Sequence, residues 1–347
     1  MTIIYFILIL GVTVFIHELG HFLFAKRYGV YVYEFSIGMG PKVIKWNRKN
    51  DETSYSIRLF PIGGFVSLAG EEIEEDKTIP AEKQLFNKKW YQKFFITIAG
   101  VLFNFILAII LLFFVALKTG VAPYKPYIAT IESEYDISNT NFQVGDQILE
   151  YNGKKITSID RLLIEMTVEN GSEGEFLVKH KNGEKENITL HATLVEEEGQ
   201  KSYKFGFSLD NQKTYGISES VQYAFTKTGS LIEQMFLTIK YLITGKLKLN
   251  NLAGPVGIYN VVDSVSQTGL INLLYLTAYI CINVGFLNLL PIPAFDGGRA
   301  LFLIIEKIRG KKISPRTENI IHSIGFYLLM LLMILVTYND IIRIFNK

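Results

Sequence analysis

Four stretches of the chain, at about residues 3–24, 94–117, 270–290 and 320–337, stay apolar for the roughly 20 residues that a helix needs to cross a bilayer. No single water-soluble core accommodates four such runs, and the overall composition agrees: 49% of the 347 residues are hydrophobic and the mean hydropathy is +0.24. The chain therefore reads as a polytopic α-helical membrane protein with about four transmembrane helices. The first 25 residues contain no Lys or Arg, so the charged start of a cleavable signal peptide is missing and the first run is expected to stay as a span. A net charge of +2, with no basic patch interleaved with aromatics, gives no support to nucleic acid as a partner. The single cysteine, Cys281, excludes an intrachain disulfide.

Short loops set the expected orientation. Lys26, Arg27, Lys42, Lys45, Arg48 and Lys49 follow the first span, and Lys88, Lys89 and Lys93 precede the second. Arg299, Lys307, Arg309, Lys311, Lys312 and Arg316 lie between the third and fourth. Basic loops stay cytoplasmic. This places both termini and the long 118–269 segment outside, in a multi-pass protein of the cell membrane.

Within the first run stands His17-Glu18-Leu19-Gly20-His21. Histidines four apart project from one side of a helix, one turn from each other, so both imidazoles can ligate one Zn²⁺ with Glu18 beside them as general base. Glu18 is the only acidic group in this span, and an ionisable residue inside a membrane is costly unless it has a function. The bland reading, a buried helix with hydrogen-bonded polar positions, gives no reason for three such groups to stand together.

A catalytic zinc takes at least three protein ligands. The third candidate lies in Asn288-Leu289-Leu290-Pro291-Ile292-Pro293-Ala294-Phe295-Asp296-Gly297-Gly298, at the end of the third run. Two prolines break the helix there, Asp296 supplies a carboxylate, and Gly297-Gly298 lets backbone pass closely. The charge rule puts Asp296 and the two histidines at the same, cytoplasmic, depth. Asn283 and Asn288 either hydrogen-bond between helices or compete for the backbone of an incoming one. The fourth run carries His322 near its start.

Residues 55–68 alternate partially and contain Pro61, Gly63, Gly64 and Phe65, which reads either as a surface hairpin or as a β-loop against the membrane offering a free strand edge to an extended substrate. The acidic run Glu71, Glu72, Glu74, Glu75 and Asp76 reads as a solvated loop. Residues 126–210 read as a small strand-rich soluble domain, with turns at Asn152-Gly153 and Asn182-Gly183 and one helix near 158–169. An amphipathic helix over 219–243 either lies on the outer membrane surface or packs on that domain.

Together these motifs resemble the site-2 protease family of intramembrane zinc metalloproteases (peptidase family M50, bacterial regulator of sigma-E protease type). Besides H-E-L-G-H and N-x-x-P-x-P-x-x-D-G-G, the resemblance rests on residues 35–41, residues 61–66, Ala99-Gly100 with Asn104, and Gly254-Pro255-Val256-Gly257. It covers nearly all of the chain. It implies zinc held by His17, His21 and Asp296, with Glu18 activating water. It also implies substrate handling by Asn288, Pro291 and Pro293. Gly63, Gly64 and Phe65 are the strand-edge candidates for the same task. The insert, with residues 144–156 as its most recognisable stretch, resembles a PDZ domain of α+β type. Phe295 replaces the family's leucine, Val101 its proline after Gly100, and residues 138–142 replace the usual Ala-Gly-Leu.

The expected organisation is an N-terminal membrane half (1–117, with a membrane-associated β-loop), a PDZ-like extracytoplasmic domain (126–210) and a C-terminal half (219–347). The expected activity is hydrolysis of peptide bonds in single-span membrane proteins, such as anti-sigma factors or signal-peptide remnants, after ectodomain trimming. The alternative is an inactive membrane-anchored PDZ scaffold with a structural metal.

Overall fold

A computed structural model describes residues 1–49, 51–71, 76–132, 134–197, 200–209, 213–247, 252–311 and 313–345. The chain separates into two compact units, one formed by 1–111 with 253–341 and the other by 112–252 with 342–347.

The first unit carries the apolar helices. Helix α1 (Thr2–Arg27) leads to two long bent strands, β1 (Val32–Asn47) and β2 (Ser54–Leu68), and then to α2 (Trp90–Thr119), which continues into the second unit. After the second unit come α5 (Pro255–Ser266), α6 (Leu270–Leu289), α7 (Asp296–Arg309) and α8 (Pro315–Phe345). Four helices, Thr2–Arg27, Trp90–Thr119, Leu270–Leu289 and Thr317–Ile342, are long and apolar enough to cross a membrane, as expected from the four runs. In such a setting hydrophobicity does not hold helices together; close packing of small residues does. Gly20 accordingly lies where a Cβ would come within 2.4 Å of the Ala99 carbonyl oxygen, and Gly285 of α6 packs on Phe105 and Asn104 of α2. On the other flank α1, α5 and α6 share a core of Ile9, Val262, Leu273, Leu276 and Ile280.

The strand pair is more folded than its sequence suggests. Residues 32–37 pair on one side with 64–68 (Phe35 with Val66, Ile37 with Gly64) and on the other with 54–57 (Phe35 with Tyr55, Ile37 with Ile57). Residues 44–47 then pair with the outer side of 54–57. The spatial order is therefore 64–68, 32–37, 54–57, 44–47, and among the described residues 64–68 has a ladder partner on one side only. Phe22 of α1 packs on Phe35, with ring centroids 4.9 Å apart, and fixes this sheet beside the first helix. Of the acidic run, Glu72, Glu74 and Glu75 lie outside the described residues. Among the described residues Asn283 does not bond between helices: its Nδ2 donates to the Tyr279 carbonyl on its own helix, at 2.8 Å.

The second unit holds a four-stranded antiparallel sheet in the order β5 (Lys154–Lys155), β4 (Gln147–Tyr151), β6 (Glu173–Lys179), β7 (Lys185–His191). Strand β3 (Ile128–Ile131) pairs with β10 (Phe207–Leu209), and β8 (Thr193–Glu197) with β9 (Gln200–Lys204). Helix α3 (Ile159–Glu169) falls where the sequence places it; the Ser158 hydroxyl caps it by accepting from the Arg161 amide at 3.1 Å. Ile148, Tyr151, Leu162, Phe176, Val178 and Leu190 form the core of this domain. Both Asn-Gly pairs occupy turns as expected, with Asn152 and Gly153 both at positive φ between β4 and β5.

Helix α4 (Ile217–Ile243) packs one face on the soluble domain. Lys227 pairs with Asp160 at 2.7 Å, Ser230 Oγ donates to Asp160 at 2.6 Å, and the Tyr241 hydroxyl donates to buried Glu165 at 2.6 Å.

His180 ties two carboxylates in the same domain: Nδ1 to Asp146 at 2.9 Å and Nε2 to Glu186 at 3.2 Å. Desolvation opposes its charge, but these two acidic partners outweigh it and raise the pKa above 6.5. A raised histidine pKa stabilises the fold fully below the unfolded value and loses that contribution as pH rises through the folded value. The denaturation midpoint of the domain should therefore fall as pH rises through the raised pKa of His180, and His180→Gln should flatten that dependence. An unchanged slope in the variant would assign the effect elsewhere.

Candidate active site

An uninterrupted α-helix carries His17 and His21, so their spacing of four stacks the rings one turn apart, with centroids 4.8 Å apart and Nε2 atoms 3.2 Å apart. Helix α2 crosses close behind them. Gly100 makes this crossing possible, since a Cβ there would lie 2.5 Å from His21 Nε2 and 2.7 Å from His17 Cε1. The same helix orients both rings. His21 Nδ1 donates to the Ile96 carbonyl at 2.8 Å, which leaves Nε2 as a bare lone pair. Asn104, fully buried on α2, places its amide nitrogen 3.4 Å from His17 Nδ1, and among the described residues its Oδ1 has no hydrogen-bond partner. With that amide turned so that Oδ1 accepts from Nδ1–H, His17 Nε2 is likewise free.

Asp296 comes from the far end of the chain. Helix α6 ends at Leu289, residues 290–295 cross in a tight loop, and α7 begins at Asp296 itself. The loop doubles back so closely that a Cβ on Gly297 would lie 2.2 Å from the Leu289 carbonyl oxygen, and one on Gly298 would lie 2.4 Å from that of Ile292. This is the close passage expected of the glycine pair. Ala294 takes a φ of +82°, a conformation that costs an ordinary residue about 1–3 kcal/mol. The result brings Asp296 Oδ2 to 3.0 Å from His17 Nε2 and 3.3 Å from His21 Nε2.

Three lone-pair atoms, of which Asp296 Oδ2 is buried without a hydrogen-bond partner, thus meet with their tips 3.0–3.3 Å apart. Ligands about 2.0–2.1 Å from a tetrahedral zinc stand about 3.3–3.4 Å from one another, so the triangle has the size such an ion needs. Among the described residues these three form the group that could hold a metal ion.

The triangle opens on a cavity of about 510 Å³, whose lining includes Glu18, Phe65, Val66, Glu71, Phe295, Arg299 and His322. Glu18 faces the edge strand; a Cβ on Gly64 would sit 3.5 Å from its Cγ. Of the residues expected to handle substrate, Phe65 borders the cavity and Gly64 lies against Glu18. Gly63 packs instead on Met39. Asn288, Pro291 and Pro293 are not part of the cavity lining, and Pro293 packs on Gly325 of α8. An ion pair between Glu71 and Arg299, at the cavity wall, has no counterpart in the sequence reading. Glu71 belonged there to a run assigned to solvent, and Arg299 to a basic loop.

A profile of Peptidase family M50 matches residues 5–332. The regulator of sigma-W protease RasP of Bacillus subtilis (strain 168) is 34% identical over 99% of this chain and 99% of its own. The zinc metalloprotease RasP of Bacillus licheniformis is 33% identical with the same coverage. Among solved structures, the PDZ domain of an SdrC-like protein from Listeria monocytogenes matches 26% of this chain and 90% of its own, at 18% identity and a TM-score of 0.22. With family, relatives and apolar helices extending over the same length, the chain belongs to peptidase family M50 and is a multi-pass membrane zinc metalloprotease of the site-2 protease type.

Proposed function

We propose that this protein hydrolyses peptide bonds within the transmembrane segments of single-span membrane proteins, with zinc held by His17, His21 and Asp296 and Glu18 as general base. The observation that carries the proposal is the meeting of His17 Nε2, His21 Nε2 and Asp296 Oδ2 beside Glu18, with the histidines and Glu18 on a helix long and apolar enough to cross a membrane. A bound zinc ion supplies Lewis acidity, polarising a carbonyl and lowering the pKa of water to about 7. Glu18 takes a proton from the attacking water and returns it to the leaving amine. Asn104 and the Ile96 carbonyl keep both imidazoles in their ligating orientation.

A helical substrate hides its carbonyls in its own hydrogen bonds and must be opened before attack. Residues 64–68, with one free side and Phe65 and Val66 on the cavity, offer backbone groups to an extended segment at that point. Asn288, Pro291 and Pro293 act on the entering chain away from the cavity wall. The basic loops favour a cytoplasmic active site, with both termini and the PDZ-like domain on the outer side, where that domain admits substrates whose ectodomains have been trimmed. The sigma-W regulatory role in the name of the Bacillus subtilis relative supports anti-sigma-factor-type substrates.

Purified protein should cut a tagged single-span substrate lacking its ectodomain and cut the untrimmed form at least about tenfold more slowly. Stripping the metal with a chelator should abolish cleavage, and added zinc should restore it. Full cleavage by metal-free protein would overturn the zinc mechanism. Equal rates on both substrates would overturn the size filter.

A further inference from the structure

His322 has no part in the chemistry above, yet it sits in an apolar span and borders the same cavity as Glu18 and the three ligand residues. Its Nδ1 accepts the backbone N–H of Ala294 at 2.9 Å. Ala294 is the left-handed residue of the loop, two positions ahead of Asp296. One turn along α8, Gly325 lets the helix close on the same loop: a Cβ there would lie 2.5 Å from the Pro293 carbonyl oxygen and 2.6 Å from Pro293 Cβ. On its other side the imidazole meets Phe302 of α7 edge to face, with ring centroids 5.5 Å apart.

We propose that His322 is a positioning residue, holding the 290–295 loop in the strained conformation that delivers Asp296 to the two histidines. The loop has lost helical hydrogen bonding at two prolines, and a backbone N–H at membrane depth needs an acceptor. Histidine supplies one from a neighbouring helix, and its bond to Ala294 both satisfies that donor and pins the residue whose φ aims Asp296. Accepting at Nδ1 fixes the ring hydrogen on Nε2, which among the described residues is buried without a hydrogen-bond partner, with a Glu318 carboxylate oxygen 3.9 Å away. The bond that matters is thus the one at Nδ1.

The inference rests on Asp296 being a metal ligand, and it is tested by zinc retention rather than cleavage. In asparagine, Oδ1 stands the same number of bonds from Cα as His322 Nδ1 and can accept from Ala294; in glutamine the oxygen lies one bond farther out, and in leucine there is no acceptor. Zinc alone, titrated against a chromophoric chelator, should bind His322→Leu and His322→Gln at least about tenfold more weakly than wild type, and His322→Asn within about threefold. Wild-type affinity in His322→Leu or His322→Gln would overturn the inference. So would an equal loss in His322→Asn and His322→Gln, since ring packing on Phe302 would then be the contribution of this residue. If His322→Leu fails to fold, the two polar variants decide between these outcomes. Absence of zinc from the wild-type protein would instead defeat the metal-site reading itself.

Discussion

Glu18→Gln should lower the rate of peptide cleavage by at least about a thousandfold while leaving one zinc per chain. Glu18 shares its helix with the two histidines, yet its carboxylate is absent from the trio of converging ligand atoms and faces the cavity beside the edge strand. Glutamine keeps the volume and the hydrogen-bonding reach but cannot accept a proton at catalytic pH. A positioned general base contributes typically 10²–10⁴-fold, and here the same group has both to take and to return the proton. Metal analysis and turnover on one preparation separate the roles. A parallel fall in zinc would place Glu18 among the ligands, and retained turnover would remove it from the chemistry.

Gly100→Ala is expected to damage the site in a different way, through a single methyl group. The added carbon would stand 2.5–2.8 Å from His21 Nε2 and from His17 Cε1 and Nδ1, closer than Cβ contacts tolerate. Neither ring can swing aside freely, because α2 itself holds them through Ile96 and Asn104. The helices must separate or the ligand triangle must open. Either outcome should reduce zinc affinity by about tenfold or more and cleavage at least in proportion. Gly229→Ala in α4 is the control: nothing lies within 4 Å of its added carbon, and a helical Gly→Ala change there should be neutral or stabilising by up to about 1 kcal/mol. Normal zinc binding by Gly100→Ala would mean that the α1–α2 crossing is looser than its geometry implies.

The spans, α3 and both Asn-Gly turns were legible because each follows from a local rule of length, capping or turn chemistry. The histidine pair was legible for the same reason, since a spacing of four on an unbroken helix leaves the rings nowhere else to go. Asp296 announced itself through the helix break that precedes it. What sequence could not reveal are partners that leave no side-chain signature or that become neighbours only through tertiary packing. The Ile96 carbonyl orients His21, but any residue at position 96 has a carbonyl. Residues 32–37 pair on both sides because β1 and β2 each bend, and the sheet so formed packs on Phe22 through Phe35 and Tyr55, contacts made only in the folded chain. Glu71 meets Arg299 across the two halves of the chain, though each is an ordinary charge in its local sequence. The apolar pattern of α4 is the same whether it faces lipid or a protein domain; the contacts of one face with Asp160 and Glu165 of α3 could not be read from it.

The ligand set is divided between the first span and the turn that follows the third, with the PDZ-like domain encoded in between. A ribosome making this chain therefore inserts the histidines into the membrane long before it adds the aspartate. On the mechanism proposed above, the zinc site would be complete only once Asp296 has been added, late in synthesis.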